Sequence, residues 1–153
     1  MLGAVLLSLL SNLGTAEDFT VVKLAGAGGG EQWRRVVDGP GHTFDAAVAV
    51  AADPKGNVVA AGITEGAAPP RGFTVMKLAG RSGGVRWDRR LEVTAHLDRG
   101  DAATSVALDR SGHVFATGVL YDLGTGFDLA VLRLRSRTGR GGGCLPGCPV
   151  ALH

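Results

Sequence analysis

Histidine and aspartate residues occur together in two stretches of the sequence and could bind a polar ligand or a cation. The first stretch contains His42 and Asp45, and the second contains His96, Asp98 and Asp101. Imidazole and carboxylate groups that converge beside a cavity supply the few polar contacts that such a site needs. The alternative, which we favour, is that each aspartate accepts hydrogen bonds from backbone N–H groups of its own loop and serves the fold.

Other residues that could bind a metal ion or act in catalysis form weaker sequence patterns. Asp53 and Asp109 each begin an Asp-x-x-Gly sequence, but a calcium loop needs further oxygen ligands at alternating positions, so a turn is favoured. Cys144, Cys148 and His153 are irregularly spaced for zinc, with Pro-Gly between the thiols. No nucleophile–base pair and no phosphate-binding loop can be recognised. We therefore predict no catalytic residue, no metal site and no cofactor.

The composition is that of a chain that can bury a core. Of 153 residues, 45% are hydrophobic and 20% are charged, which is unlike a disordered polar sequence. The formal net charge of +2 is too small to indicate binding to nucleic acid or to an anionic membrane. No apolar run approaches the length of about 18 residues that a membrane-spanning helix needs. We therefore expect neither a nucleic-acid partner nor a membrane span.

The elements that would position these residues are revealed by an internal repeat. Residues 19–26 return as residues 73–80 with seven of eight positions identical, and Trp33 returns as Trp87 at the same spacing of 54 residues. A divergent third copy follows at residues 128–134. Such periodicity is typical of repeat architectures, in which each unit is one supersecondary motif.

A second block repeats in the same order. The segment from Asp45 through the Asp53 turn to Gly62 returns 56 residues later as the segment from Asp101 to Gly118. In each copy two Val- and Ala-rich runs flank a turn in which Gly56 or its equivalent, Gly112, is expected to have positive φ. The two runs therefore predict a β-hairpin.

Each repeat is expected to form a small sheet of four short strands. No helical periodicity is present, and the four runs of one repeat fit within some 55 residues. A sheet with two apolar faces cannot bury both alone, whereas copies stacked face to face around an axis bury both. The predicted fold class is all-β, with open tandem four-stranded antiparallel blades of a β-propeller, about two and a half blades in all.

The repeat resembles a known family. The sequence DAAVAVAADPKGNVVAAGIT followed by FTVMKLAGRSGGVRW is similar to bacterial β-propeller repeats of the SBBP-like type, and its strand order is similar to the NHL-like blade. The resemblance implies a partial propeller over residues 13–135, with one complete blade at 45–92 between partial blades. The third copy has glycine where Trp is expected, so it should lack its outermost strand, and residues 136–153 should form an irregular tail. Residues 1–12 are interpreted as a degraded blade strand, with a signal-like segment as the alternative.

The resemblance implies that the two His- and Asp-containing stretches are loops at the mouth of the central channel. The ligand-binding candidates are therefore His42, Asp45, His96, Asp98 and Asp101. The resemblance also implies an extracellular or cell-envelope location. We expect a non-enzymatic module that scaffolds a binding surface for a protein or polysaccharide and that associates with itself through open blade edges. The alternative is a fragment of a propeller enzyme, either a hydrolase, a lyase or a quinoprotein, whose catalytic residues lie outside this chain.

One strand position is basic in all three copies. Lys23, Lys77 and Arg133 occupy it, and a basic stripe is one interpretation. We favour the alternative that their aliphatic stems lie along neighbouring blades while the charges reach water or a carboxylate. Trp33 and Trp87, present once per repeat, are expected to anchor blades rather than to stack on bases.

Overall fold

The described part of the chain consists of strands, turns and loops. The computed structural model describes residues 5–11, 17–66, 71–91, 100–122 and 126–144, and contains no helix within them. Accordingly, no helix that is long and apolar enough to cross a membrane occurs among these residues. The strands are β1 (Val5–Ser11), β2 (Glu17–Leu24), β3 (Glu31–Val37), β4 (Ala46–Ala52), β5 (Val58–Glu65), β6 (Arg71–Leu78), β7 (Val85–Leu91), β8 (Ala102–Leu108), β9 (Val114–Asp122), β10 (Gly126–Leu134) and β11 (Gly141–Cys144).

These strands form three antiparallel sheets that follow one another along the chain. The first has the order β1-β2-β3, the second β4-β5-β6-β7 and the third β8-β9-β10-β11. Every neighbouring pair in a sheet is antiparallel and consecutive in sequence. The predicted fold class, all-β with tandem antiparallel blades, is confirmed.

The tight turn between the first two strands of a blade is held by its aspartate. Asp53 accepts hydrogen bonds on Oδ1 from the backbone N–H groups of Lys55 and Asn57, both at 2.9 Å. Gly56 and Gly112 both have φ of +77°, a conformation that residues with a Cβ rarely adopt. The predicted positive φ at these two glycines is confirmed, and the turn sets the hairpin register.

The sheets stack face to face because alternate side chains point to opposite faces of each strand. On one face of the second sheet, Val58 and Ala60 pack in a cluster with Phe19 and Val21 of the first sheet. On the other face, Phe73 and its neighbours pack in a second cluster with Ala, Val and Leu residues of the third sheet. The same strand position therefore forms the contact to the following blade in two successive repeats.

The third sheet differs from the expectation. It was expected to lack a fourth strand, but β11 pairs with β10, with Leu132 opposite Cys144 and Leu134 opposite Gly141. The prediction was wrong because strand pairing uses backbone N–H and C=O groups, which the glycines of this segment still supply without a Trp side chain. Part of the segment expected to be an irregular tail, Gly141–Cys144, is thus a strand.

Within the described residues, no further blade covers the outer face of the third sheet. Leu129 is the repeat equivalent of Phe73, which is completely buried, yet Leu129 is 75% exposed. Phe127 on the same strand is 55% exposed and contacts Tyr121 edge to face. The position that joins one blade to the next is therefore uncovered at this end of the described chain.

Candidate functional site

Two of the predicted channel-mouth residues are buried and hold backbone groups. Asp45 is fully buried, and its Oδ2 accepts the N–H of Gly39 at 2.5 Å while its Oδ1 accepts the N–H of Glu65 at 2.7 Å. Asp101, 2% exposed, accepts the N–H of Tyr121 on Oδ1 at 2.8 Å. In both blades, therefore, the aspartate before the first strand accepts a hydrogen bond from the backbone N–H of the residue 20 positions later. Ligand binding by these two aspartates stays a prediction.

The histidine of the first loop lies at the surface. His42 has φ of +51° and an exposed ring whose Nδ1 is 2.5 Å from Oδ2 of Asp38. The structure thus places it beside the carboxylate of its own loop. His96 and Asp98, the remaining two candidates, lie outside the described residues.

A group of carboxylates lies at this end of the sheets. Asp18, Asp38 and Asp45 each present an oxygen atom, and the three atoms lie within 4.8 Å of one another. Burial raises the pKa of Asp45, and the neighbouring Asp38 and Glu65 carboxylates raise it further against the lowering effect of its N–H donors. Carboxylate oxygens suit a hard cation, but Ca²⁺ takes six to eight of them. Since both oxygens of Asp45 already accept backbone N–H bonds, the group has limited capacity for a cation.

The opposite end of the sheets carries a buried ion pair. Lys77 is 3% exposed, and its Nζ lies 2.9 Å from Oδ2 of Asp53 and donates to Oγ of Ser136 in the third sheet at 3.1 Å. Burial by itself would raise the pKa of Asp53, but hydrogen bonds from Asn57 and Lys77 outweigh burial and lower that pKa. The charge of Lys77 therefore reaches a carboxylate, as the favoured interpretation of this strand position holds, and also reaches the next blade.

The first blade makes a corresponding contact with the second. Lys23 donates to the backbone carbonyl of Gly80 at 2.6 Å, and Trp33 donates its indole N–H to the same oxygen at 3.1 Å. The ring of Trp33 also covers Gly83, where an added Cβ would lie 2.7 Å from a ring carbon. The Lys and Trp of the first blade thus bind the β6–β7 turn of the second blade.

The second blade binds the β10–β11 turn of the third blade in a similar way. Trp87 donates its indole N–H to the carbonyl of Ser136 at 3.0 Å, and its ring covers Gly139, whose φ is +61°. Arg89 adds hydrogen bonds to the carbonyls of Gly139 and Thr138. Both tryptophans are at least 93% buried, so their role as blade anchors agrees with the structure.

A cleft opens between the second and third sheets beside this contact. Its volume is about 600 Å³, and it is formed by the β4–β5 and β8–β9 turns together with the β10–β11 turn. Five of its described lining residues are basic and one is acidic; these charged residues are Asp53, Lys55, Lys77, Arg86, Arg110 and Arg137. We call this the basic cleft.

The basic cleft is not predicted by the repeat pattern. Lys23, Lys77 and Arg133 recur at one strand position, whereas Lys55, Arg110 and Arg137 do not share a repeat position. A signal was nevertheless present, since these three residues lie in the turns that follow the first or third strand of a blade. In an antiparallel sheet such turns meet at one end, so their charges are brought together whatever the repeat register.

The sheets and their repeated contacts define an open, partial β-propeller. Three antiparallel sheets stack in chain order, and equivalent Lys, Trp and aromatic or aliphatic side chains join each to the next. The position that would join a further blade is uncovered at Leu129.

Comparisons with known proteins give no family for this chain. No protein-family model matches the sequence, and no curated protein matches it. The crystal structure of BamB from Moraxella catarrhalis is similar to this chain with a TM-score of 0.45 and 15% sequence identity, over 86% of this chain and 49% of that chain. The chain thus spans about half the length of that structure. The strand order and the stacking of the sheets remain the basis for the fold.

Proposed function

We propose that this chain is a non-enzymatic binding module built from β-propeller repeats of the SBBP-like or NHL-like type, and that it presents a ligand-binding surface on its stacked blades. The observation that supports the proposal most is the basic cleft. Its walls come from two blades, and those blades are held together by buried contacts of Lys77 and Trp87. A cleft between rigidly joined elements needs little reorganisation to accept a ligand.

The channel-mouth loops give less support to an enzymatic function. Asp45 uses both carboxylate oxygens to accept backbone N–H bonds, and Asp101 accepts one from Tyr121. A carboxylate engaged in this way is poorly placed to exchange protons with a substrate, because protonation would weaken those bonds. We also propose an extracellular or cell-envelope location, where protein and polysaccharide ligands are both accessible.

The proposal is tested by measuring binding and turnover with the same preparation. The full chain is immobilised and exposed to polysaccharides and to proteins of the cell envelope, and the released ligand is analysed by mass spectrometry. Saturable and reversible binding of a chemically unchanged ligand, lost when the chain is unfolded in urea, is the expected result. Release of a cleaved or oxidised ligand would instead identify an enzyme, and the absence of fold-dependent binding to every ligand would contradict the proposal.

A further inference from the structure

We propose that the basic cleft binds an acidic polysaccharide through the carboxylate or sulfate groups of its sugars. This inference rests on the proposed binding function and adds the class of ligand. Five of the described residues that line the cleft are basic, although the formal net charge of the whole chain is only +2.

The cations of the cleft are available to a ligand. Lys55, Arg86, Arg110 and Arg137 are exposed, and none of their side chains makes a hydrogen bond or an ion pair with another residue of the described chain. Guanidinium groups match the planar arrangement of carboxylate oxygens and also bind sulfate oxygens with two parallel hydrogen bonds. An oxyanion that enters the cleft therefore meets several donors that have no internal partner to give up.

The one carboxylate among the described lining residues, that of Asp53, does not cancel this charge. Asp53 is paired with Lys77 at 2.9 Å and also accepts bonds from two backbone N–H groups and from Nδ2 of Asn57. Its negative charge is therefore compensated inside the blade. The four exposed cations remain as the net charge that a ligand meets.

The basic surface continues beyond the cleft, which indicates an extended ligand. An adjoining cleft of about 560 Å³ shares Ser111, Ser136 and Arg137 with the first, and it adds Arg135 and Arg140. Two connected clefts that share one wall suit a chain of repeating anionic units better than a single small anion.

The lining favours a polysaccharide over a nucleic acid. Neither cleft includes a Phe, Tyr or Trp side chain among its described lining residues, and single-stranded nucleic acids are usually held by stacking of bases on aromatic side chains. The adjoining cleft does include the imidazole of His113, but its Nδ1 lies 2.8 Å from Oδ2 of Asp109. Hydroxyl groups are present instead, from Ser111, Ser136 and Thr138, and each can both donate to and accept from sugar hydroxyls. Cations for the acidic groups and hydroxyls for the sugar ring together match an acidic polysaccharide.

The test compares a cleft variant with a matched surface variant of the full chain. Fluorescently labelled heparin oligosaccharides carry sulfate, polygalacturonate oligosaccharides carry carboxylate, and dextran and a short DNA duplex serve as neutral and nucleic-acid probes. The double variant Arg110→Gln, Arg137→Gln should bind the preferred acidic oligosaccharide about tenfold more weakly, since it loses two charge-assisted contacts at exposed positions. Arg34→Gln, Arg35→Gln removes the same charge from exposed positions on β3 and should bind as the unchanged protein does.

Several results would overturn the inference. They are equal losses in the two double variants, dextran binding as tight as that of the acidic probes, tighter binding to the DNA duplex, and no binding to either acidic probe. Raising the salt concentration should weaken binding of the unchanged protein, because screening reduces attraction between exposed charges. If a different, uncharged or protein ligand bound instead, the proposed binding function would stand while the assignment of the ligand would fall.

Discussion

Replacement of Lys77 by methionine should destabilise the protein strongly because it leaves a buried carboxylate without its cation. Lys77 and Asp53 are 3% and 5% exposed, and their charged atoms are 2.9 Å apart. Removing one partner of a buried ion pair costs about 3–5 kcal/mol. We expect about 3 kcal/mol, the lower end, because Asp53 keeps its bonds from Lys55 and Asn57 while Ser136 loses one donor.

The equivalent lysine of the first blade provides a matched control. Lys23 is half-buried and donates to the carbonyl of Gly80, which also accepts the indole N–H of Trp33. Lys23→Met therefore removes one hydrogen bond but leaves that carbonyl with a partner, and it should cost about 1 kcal/mol. The difference between two identical substitutions isolates the contribution of the buried carboxylate.

The measurement is urea unfolding followed by fluorescence of the two tryptophans, which lie at the blade contacts. With a urea dependence of about 2 kcal/mol per molar, the Lys77→Met midpoint should fall by about 1.5 M and the Lys23→Met midpoint by about 0.5 M. Adding Asp53→Asn to Lys77→Met should recover part of the loss, because the unpaired charge is then absent. Equal shifts for the two lysine variants, or no recovery in the double variant, would refute the reasoning.

Three further predictions concern a glycine, an acid and an exposed leucine. Gly139→Ala should lower the free energy of unfolding by about 3 kcal/mol, because its φ is +61° and the added Cβ would lie 2.5 Å from the Trp87 ring. Gly56→Ala also has positive φ, but its Cβ would meet open space, so it should cost about 1 kcal/mol. Similar unfolding midpoints for the two variants would contradict this. Burial alone would raise the pKa of Asp53, but its hydrogen bonds hold that pKa below the usual value. Ionised Asp53 therefore contributes stability that is present above its unfolded-state pKa of about 3.9 and is lost as pH falls through the lower folded-state value. Asp53→Asn should flatten this acid loss in unfolding curves measured between neutral and acidic pH, and an unchanged slope would be evidence against it. The full chain should form oligomers in sedimentation velocity experiments, because the blade face around Leu129 is uncovered. Leu129→Lys places a charge on that face and should shift the protein toward the monomer. A compact monomer in the unchanged protein would exclude this interface.

Much of the fold could be predicted from local sequence patterns. The repeat of residues 19–26 as 73–80 and the Asp-x-x-Gly turn before Asn57 predicted the hairpins and the positive φ at Gly56, because turn geometry and strand alternation depend on residues that are close in sequence. The fourth strand of the third sheet, Gly141–Cys144, could not be predicted in this way. Its glycines carry no apolar pattern, and its pairing depends only on β10 being adjacent.

The candidate site also has a part that local sequence predicts and a part that depends on tertiary structure. The sequence alone determined that Asp45 and Asp101 are equivalent, and the repeat gave them the same backbone-holding bond at the same spacing. Only the tertiary structure brought Lys55, Arg110 and Arg137 to one cleft, because they come from turns of two different blades and share no repeat position. Repetition in sequence reveals what each blade does for itself. A surface shared by two blades depends on how they stack, and that is decided by packing between side chains far apart in the chain.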